Sequence, residues 1–457
     1  MSEQQKGRGG RGGGKGPRKQ RGKGRPHQGP NSSSHKSPPK GSGKGAGRAP
    51  QGGGAPKKLA RGTICVDGNS ERWLRRGFPW VYPKEVTARG PGLKVGSPVE
   101  ILSSAGVTLG RGVWDDGWIA ARLFRRDKGP IDRELLLKRL RIARGLREQV
   151  VDPGTTAYRL VNAENDQLPG IRVDVFGPHV LISLDSPSLV PLLEDLQWAL
   201  RELLDCRGIY LAWRPDPRDS FSSDSAPIPP GLLSGHPHKG PLRVTEREIA
   251  CLVDLTGETT VGIFLDMREN RAFLEPHWGG KRVLNLFAHT GFFSVVAAMH
   301  GASEVVSVDL SGPYLDRAEE NFVANELDPG LHTFIESDVR RALDRFRRRE
   351  EQFDIAILDP PSFSHGPEGV LSLKRDYPTL VASTLRVISE GGWLVGALNL
   401  GEVSPRDFHT MVLKGAEKAG VGLQLIYEGG QGPDFPAHVN FPEGRYLKFG
   451  VWRVVPA

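Results

Sequence analysis

Asp309, Asp338 and Asp359 each close a short apolar run, and each is followed by residues of helical pattern. A carboxylate in that place can accept hydrogen bonds from a ligand lying across the ends of parallel strands. Asp309 comes eighteen residues after Gly291, about where an acid takes the hydroxyls of a ribose. Asp338 is placed to accept from an adenine-type amino group. Asp359 opens the run Asp359-Pro360-Pro361-Ser362-Phe363, whose two prolines fix the backbone and leave carbonyls without local donors, which suits presenting acceptors to a planar base. The fourth feature is the loop Asn285-Leu286-Phe287-Ala288-His289-Thr290-Gly291. Its single glycine excludes a G-x-G-x-x-G cradle for a pyrophosphate and permits close approach of a smaller ligand. Taken singly, each aspartate is more readily a helix N-cap or turn acid. The four in strand order favour a site.

Such a site needs a sheet to hold it. From residue 251 onward strand-like and helix-like runs alternate: 282–287 then 294–300, 304–308 then 313–325, 333–336 then 339–348, 353–358 then 371–388, and 393–400. This alternation predicts a parallel sheet covered on both faces. Leu315, Ala318 and Phe322 form the stripe that packs helix 313–325 against it.

The rest of the chain reads as separate pieces, consistent with about three domains at roughly 150 residues each. Residues 1–61 carry 16 Lys and Arg against one acid, a charge of +15, while the remaining 396 residues carry −6. With 17 Gly and 7 Pro, this stretch predicts a disordered basic tail suited to nucleic-acid phosphates. Residues 62–134 alternate short apolar runs (63–66, 98–102, 112–114, 118–124) with Gly and Pro, predicting a small β-barrel or sandwich. Within it, Arg75, Arg76, Phe78 and Trp80 interleave basic and aromatic side chains, either as an RNA contact or as aromatics packed in the small core under solvated arginines. A helix over 131–148, a strand-turn-strand over 158–175 and a helix over 188–204 follow, with an irregular connection over 207–243. No apolar run of 18 residues and no signal segment is present. Cys65, Cys206 and Cys251 lie far apart without C-x-x-C spacing, so no metal site or disulfide framework is expected, and the compartment reads as reducing and cytoplasmic.

The strand-end features, with Phe264-Leu265-Asp266-Met267-Arg268-Glu269-Asn270-Arg271, Leu160-Val161-Asn162-Ala163-Glu164 and Phe441-Pro442-Glu443-Gly444-Arg445-Tyr446-Leu447-Lys448, resemble the 23S rRNA methyltransferase family that carries an N-terminal PUA domain. The resemblance spans about residues 62–457. It implies an α/β fold in which a Rossmann-like class I methyltransferase domain (251–457) is preceded by a small β-rich PUA-like domain (62–134) and a central α+β domain (135–250). It also implies S-adenosyl-L-methionine (SAM) as cofactor and RNA as partner, 23S rRNA or a large-subunit precursor, with no membrane association and a homodimer left open. By the same likeness Asp266, Arg268 and Asn270 help close the cofactor pocket. Asn285, Phe287, His289, Thr290 and Gly291 hold the methionine portion, Asp309 with Leu310 the ribose, Asp338 with Val339 the adenine, and Asp359, Pro360, Pro361 and Ser362 the target base.

One departure bears on the chemistry. Family members that make 5-methylcytosine need a cysteine thiolate to add to C6 of the pyrimidine. The stretch where they carry it reads Gly396-Ala397-Leu398-Asn399-Leu400, and no cysteine follows Cys251, which sits in an apolar run. Asp359-Pro360-Pro361-Ser362-Phe363-Ser364 and Lys374-Arg375-Asp376-Tyr377 resemble the domain of a related guanine-N7 enzyme. Guanine N7 or an exocyclic amine is therefore the expected acceptor. Cytosine C5 chemistry and an RNA-binding protein without turnover are the alternatives.

Overall fold

The computed structural model describes residues 59–219, 221–222, 225–256, 260–361, 363–366 and 369–457, and only the backbone of those among 363–371. The basic tail as far as residue 58 and Ser362 lie outside the described residues.

The first sheet comprises β1 (Thr63–Val66), β2 (Trp80–Val81), β3 (Val86–Arg89), β4 (Pro98–Leu102), β5 (Thr108–Trp114) and β6 (Ala121–Arg125), in the order β2-β6-β5-β4-β1-β3. Helix α1 (Gly68–Arg76) lies between its first two strands. Asp67 caps it by accepting from the Ser70 amide at 2.7 Å, and left-handed Gly77 ends it.

Helix α2 (Arg133–Val150) leads to a second sheet of β7 (Ala157–Asn162), β8 (Ile171–Phe176), β9 (His179–Leu184), β10 (Gly208–Trp213) and β11 (Gly231–Gly235), with α3 (Leu193–Leu203) before β10. Two expectations change here. The stretch expected to be irregular, 207–243, contributes β10, because the apolar run Ile209–Trp213 extends the sheet parallel to β9, and β11 pairs antiparallel with it. The helix expected over 188–204 begins as a 3-10 turn over Pro187–Leu192, since Pro191 lacks an amide hydrogen.

The hairpin of β12 (Leu242–Glu246) and β13 (Ile249–Val253) packs against the helix over Gly312–Ala324. Its edge amides are satisfied by side chains: Ala250 donates to Asn325 Oδ1 (2.8 Å) and Leu252 to Asn321 Oδ1 (2.7 Å).

The last sheet has seven strands in the order β16-β15-β14-β17-β20-β22-β21. They are β14 (Arg282–Leu286), β15 (Glu304–Asp309), β16 (Thr333–Glu336), β17 (Phe353–Leu358), β20 (Ile388–Asn399), β21 (Val421–Gly429) and β22 (Leu447–Pro456). Strands β14 to β17 and β20 are parallel as the alternation requires, but β22 runs antiparallel to both neighbours, so the sheet is mixed. Helices α4 (Arg268–Leu274), α5 (Phe292–Met299), α6 (Gly312–Ala324), α7 (Val339–Arg348), α8 (Leu373–Leu385) and α9 (Pro405–Ala419) cover it. A hairpin of β18 (Phe363–Gly366) and β19 (Gly369–Ser372) stands between β17 and α8. Leu315, Ala318 and Phe322 of α6 are all buried, as their spacing predicts. The parallel strands end on one side, so the loops after β14, β15, β16 and β17 face a common crevice. Among the described residues no helix is long and apolar enough to cross a membrane.

Candidate active site

The loop after β14 is the most constrained part of the crevice. Phe287, His289 and Gly291 all take left-handed conformations, with φ of 57°, 52° and 70°. Two of these carry side chains, a local cost of about 1–3 kcal/mol each that the surroundings must offset. Asp309 supplies much of the restraint. One oxygen of its carboxylate accepts from the His289 amide at 2.8 Å and the other from the Ser311 amide at 2.9 Å. Each oxygen keeps a lone pair for a further donor, so a pair of ribose hydroxyls fits here. Leu310 beside it is 41% exposed, an apolar face at the strand ends.

His289 packs between Phe264 and Tyr314, with ring centroids 5.1 and 4.4 Å away, and its Nε2 meets Thr260 Oγ1 at 2.8 Å. Burial pushes its pKa down to about 4 against the opposing charge of Asp309, so the imidazole is neutral at physiological pH. Thr290 donates to the Gly262 carbonyl, and its own carbonyl accepts from Asn321 Nδ2 at 2.9 Å. A loop without positive charge is compatible with a cationic sulfonium.

Several expected positions take other roles. A Cβ on Gly291 would lie 2.6 Å from Cβ of Ala318, so the glycine lets the loop approach α6. Asn285 is buried, and its Nδ2 donates to Ser294 Oγ at 2.9 Å, which in turn meets Ser307 Oγ at 2.8 Å. It anchors α5 beneath the loop. Asp338 caps α7, with one oxygen taking the Arg340 amide at 2.8 Å and the other Arg340 Nη2 at 2.9 Å. Val339 is in the core. Asp338 is therefore a helix cap whose carboxylate, like that of Asp309, keeps further lone pairs.

Arg268 is 1% exposed and forms a two-pronged pair with the fully buried carboxylate of Asp434, at 2.6 and 3.2 Å. Asn270 Nδ2 donates to the Gly430 carbonyl at 2.9 Å. Both side chains hold the 430–434 segment. The Asp266 carboxylate accepts from the Tyr446 hydroxyl at 2.7 Å, and burial raises its pKa.

Asp359 follows β17, between β14 and β20. Burial, then the neighbouring charge of Asp266, lifts its pKa to about 7, with Arg271 opposing. Among the described residues its carboxylate has no hydrogen-bond partner, so its acceptor capacity is available. Pro360 is buried and Pro361 exposed. Arg271 is itself held by Glu246 through two bonds of 2.6 Å. Asp434, Arg159 and Glu246 carried no local signal, since their partners lie far away in sequence; Arg159, for example, donates its amide to Asp434 at 3.1 Å.

Cys251 is fully buried on β13 and burial raises its pKa, which suppresses the thiolate. At the end of β20, Ala397 and Leu398 are buried and Asn399 is exposed. Among the described residues no cluster could hold a metal ion.

Arg75 and Arg76 are exposed. Phe78 and Trp80 are instead half-buried against Phe441, at 5.8 and 4.8 Å between ring centroids, and Trp80 Nε1 donates to Glu164 Oε1 at 2.9 Å. The aromatics thus join the first sheet to the 441 segment and leave the arginines as the solvent face.

The S-adenosylmethionine-dependent methyltransferase family profile matches residues 217–444, and a PUA-like domain profile matches residues 64–126. Ribosomal RNA large subunit methyltransferase I of Shewanella amazonensis is 35% identical over 389 residues, 84% of this chain and 97% of that protein. The protein of the same name from Aeromonas salmonicida is 32% identical over 386 residues, covering 84% and 96%. The crystal structure of SMU.776 complexed with SAH superposes with a TM-score of 0.77 at 27% identity, covering 86% of this chain and all of that one.

Proposed function

Because the chain belongs to the ribosomal RNA large subunit methyltransferase I family, we propose that it methylates a base of large-subunit rRNA at guanine N7 or an exocyclic amine, with SAM as methyl donor. Its class I methyltransferase fold with a PUA-like domain and its dependence on SAM are those of the family. We place the domain boundaries at residues 62–134, 135–250 and 251–457, and the enzyme in the cytoplasm with its three free thiols.

The observation that carries the choice of acceptor is the lack of a cysteine at the reacting end, where β20 ends in Ala397-Leu398-Asn399 and Cys251 is buried elsewhere. Bound SAM supplies an electrophilic methyl group. Asp309 takes the ribose hydroxyls on the two acceptor positions left by the His289 and Ser311 amides. Leu310 offers an apolar face to the adenine, and the left-handed loop 287–291 with neutral His289 borders the methionine portion. On the acceptor side, ionised Asp359 accepts from an N–H of the extruded base, and Pro360 and Pro361 keep the backbone rigid beside it. Guanine N7 is already nucleophilic and has no proton to lose, so positioning it in line with the methyl can supply most of the rate; an exocyclic amine also sheds a proton, which ionised Asp359 is placed to take. Arg75 and Arg76 contact phosphate, and the basic tail adds affinity without choosing the base.

Two outcomes follow. Asp309→Ala removes a charge-assisted acceptor, so SAM affinity should drop roughly 10- to 150-fold; calorimetry on the folded variant with unchanged affinity would remove Asp309 from the site. RNA carrying 5-fluorocytosine should form no covalent complex, and the triple Cys65→Ser, Cys206→Ser, Cys251→Ser variant should keep its rate within the modest loss expected from disturbing buried thiols. A trapped adduct that disappears in Cys251→Ser would restore cytosine-C5 chemistry.

A further inference from the structure

Tyr377, in the first turns of α8, is fully buried, and among the described residues its hydroxyl meets no hydrogen-bond partner. Burying a hydroxyl without a partner is costly, and a phenylalanine would fill the same space without that cost. The ring is fixed by the core: it packs 5.7 Å from Phe408, in the cluster that includes Leu358 and Trp452. The oxygen is directed at the floor of the acceptor side. It lies 2.9 Å from where a Cβ on Gly396 would stand, and Gly396 is paired with Leu358, the residue before Asp359. The absence of a side chain at 396 is therefore what makes room for the hydroxyl. Asp359 is the charge that acts on it.

We propose that Tyr377 is a positioning residue for methyl transfer, its hydroxyl donating to the Asp359 carboxylate when a base enters and so fixing the direction in which that carboxylate accepts. This rests on the reading of Asp359 as the base-holding group. A base bound to one oxygen draws the carboxylate into its ionised form, and the other oxygen then needs a donor. Tyr377 is the neutral donor on that side. Asp266, from the turn before α4, repels the ionised form, and Arg271 of α4, occupied by Glu246, attracts it. Tyr446 and Arg159 act on Asp266 and so reach Asp359 only indirectly.

The test pairs Tyr377→Phe with Asp359→Asn in the full chain, reading thermal midpoint, SAM affinity, RNA affinity and the pH profile of kcat. A merely structural tyrosine would lower stability when changed. A hydroxyl kept for function should leave the midpoint of Tyr377→Phe equal to or above that of the wild type, while kcat falls about tenfold, the size of one lost hydrogen bond. SAM and RNA affinities should stay within about twofold, the remaining contacts being untouched. Losing the donor disfavours the carboxylate, so the acid limb of the kcat profile should move to higher pH. Unchanged kcat and pH profile in Tyr377→Phe beside an inactive Asp359→Asn would overturn the inference and leave the base-holding reading intact. A lowered midpoint with loss of SAM affinity would also overturn it, in favour of a packing role. Full activity of Asp359→Asn would overturn both.

Discussion

Asp359→Asn is expected to lower methyl transfer by roughly 10²- to 10³-fold, the range seen when a positioned electrostatic group is lost, while SAM affinity stays within about threefold. The amide is nearly the same size but presents one acceptor instead of two and carries no charge. The same substitution should stabilise the fold, and the pH dependence of that gain identifies its cause. Burial beside Asp266 raises the Asp359 pKa to about 7, above the roughly 3.9 of an unfolded chain. A raised carboxylate pKa means that the folded state holds its proton longer. Its penalty is therefore absent at low pH, grows as pH rises through about 4 to 7, and is complete above that window. Melting curves should show wild type and variant alike near pH 4, and the variant ahead by about 2–4 kcal/mol at pH 8. A gap independent of pH would mean that Asp359 ionises freely, and an active variant would mean that it does not hold the base.

Arg268→Ala should have the largest effect on stability. Asp434 is 0% exposed and takes both of its charged donor bonds from Arg268, with the Arg159 amide as a third, neutral donor. Removing one partner of a buried pair leaves an uncompensated charge and costs about 3–5 kcal/mol, a fall in thermal midpoint on the order of 10 °C. Arg268→Lys keeps the charge but loses the fork and should fall between. A midpoint within about 2 °C of wild type in Arg268→Ala would show that the pair does not hold the 430–434 segment against α4.

The parts of this molecule that could be read from sequence are those whose cause is local. Alternation over 282–358 yields the parallel core because each βαβ unit repeats its own period, and the stripe Leu315, Ala318, Phe322 faces the sheet for the same reason. Strand ends are equally local, so Asp309 and Asp359 come to the crevice together. What escaped depends on distant partners. Arg268 has the residue type of a ligand contact but is taken up by Asp434, 166 positions away. Phe78 and Trp80 have the composition of a stacking platform, yet Phe441 covers them. At Asp338 the helix-cap reading is met locally, because the Arg340 amide stands within the first turn of the same helix. Strand β10 is hidden by surrounding proline and glycine, and β22 is antiparallel because the chain, after β21 has formed the edge, returns between β20 and β21, a placement that no local pattern announces. Tyr377 lies in a stretch that the resemblance picks out, but its role gave no signal, since an unpartnered hydroxyl is a property of the packed core.

The most direct measurement is to incubate the full chain with large-subunit rRNA and methyl-labelled SAM, digest the RNA and identify the labelled nucleoside by mass. Label is expected in one nucleoside, 7-methylguanosine or a base methylated on an exocyclic amine, and in none when Asp359→Asn replaces the wild type. Label in 5-methylcytidine, or no label in rRNA while SAM still binds, would contradict it.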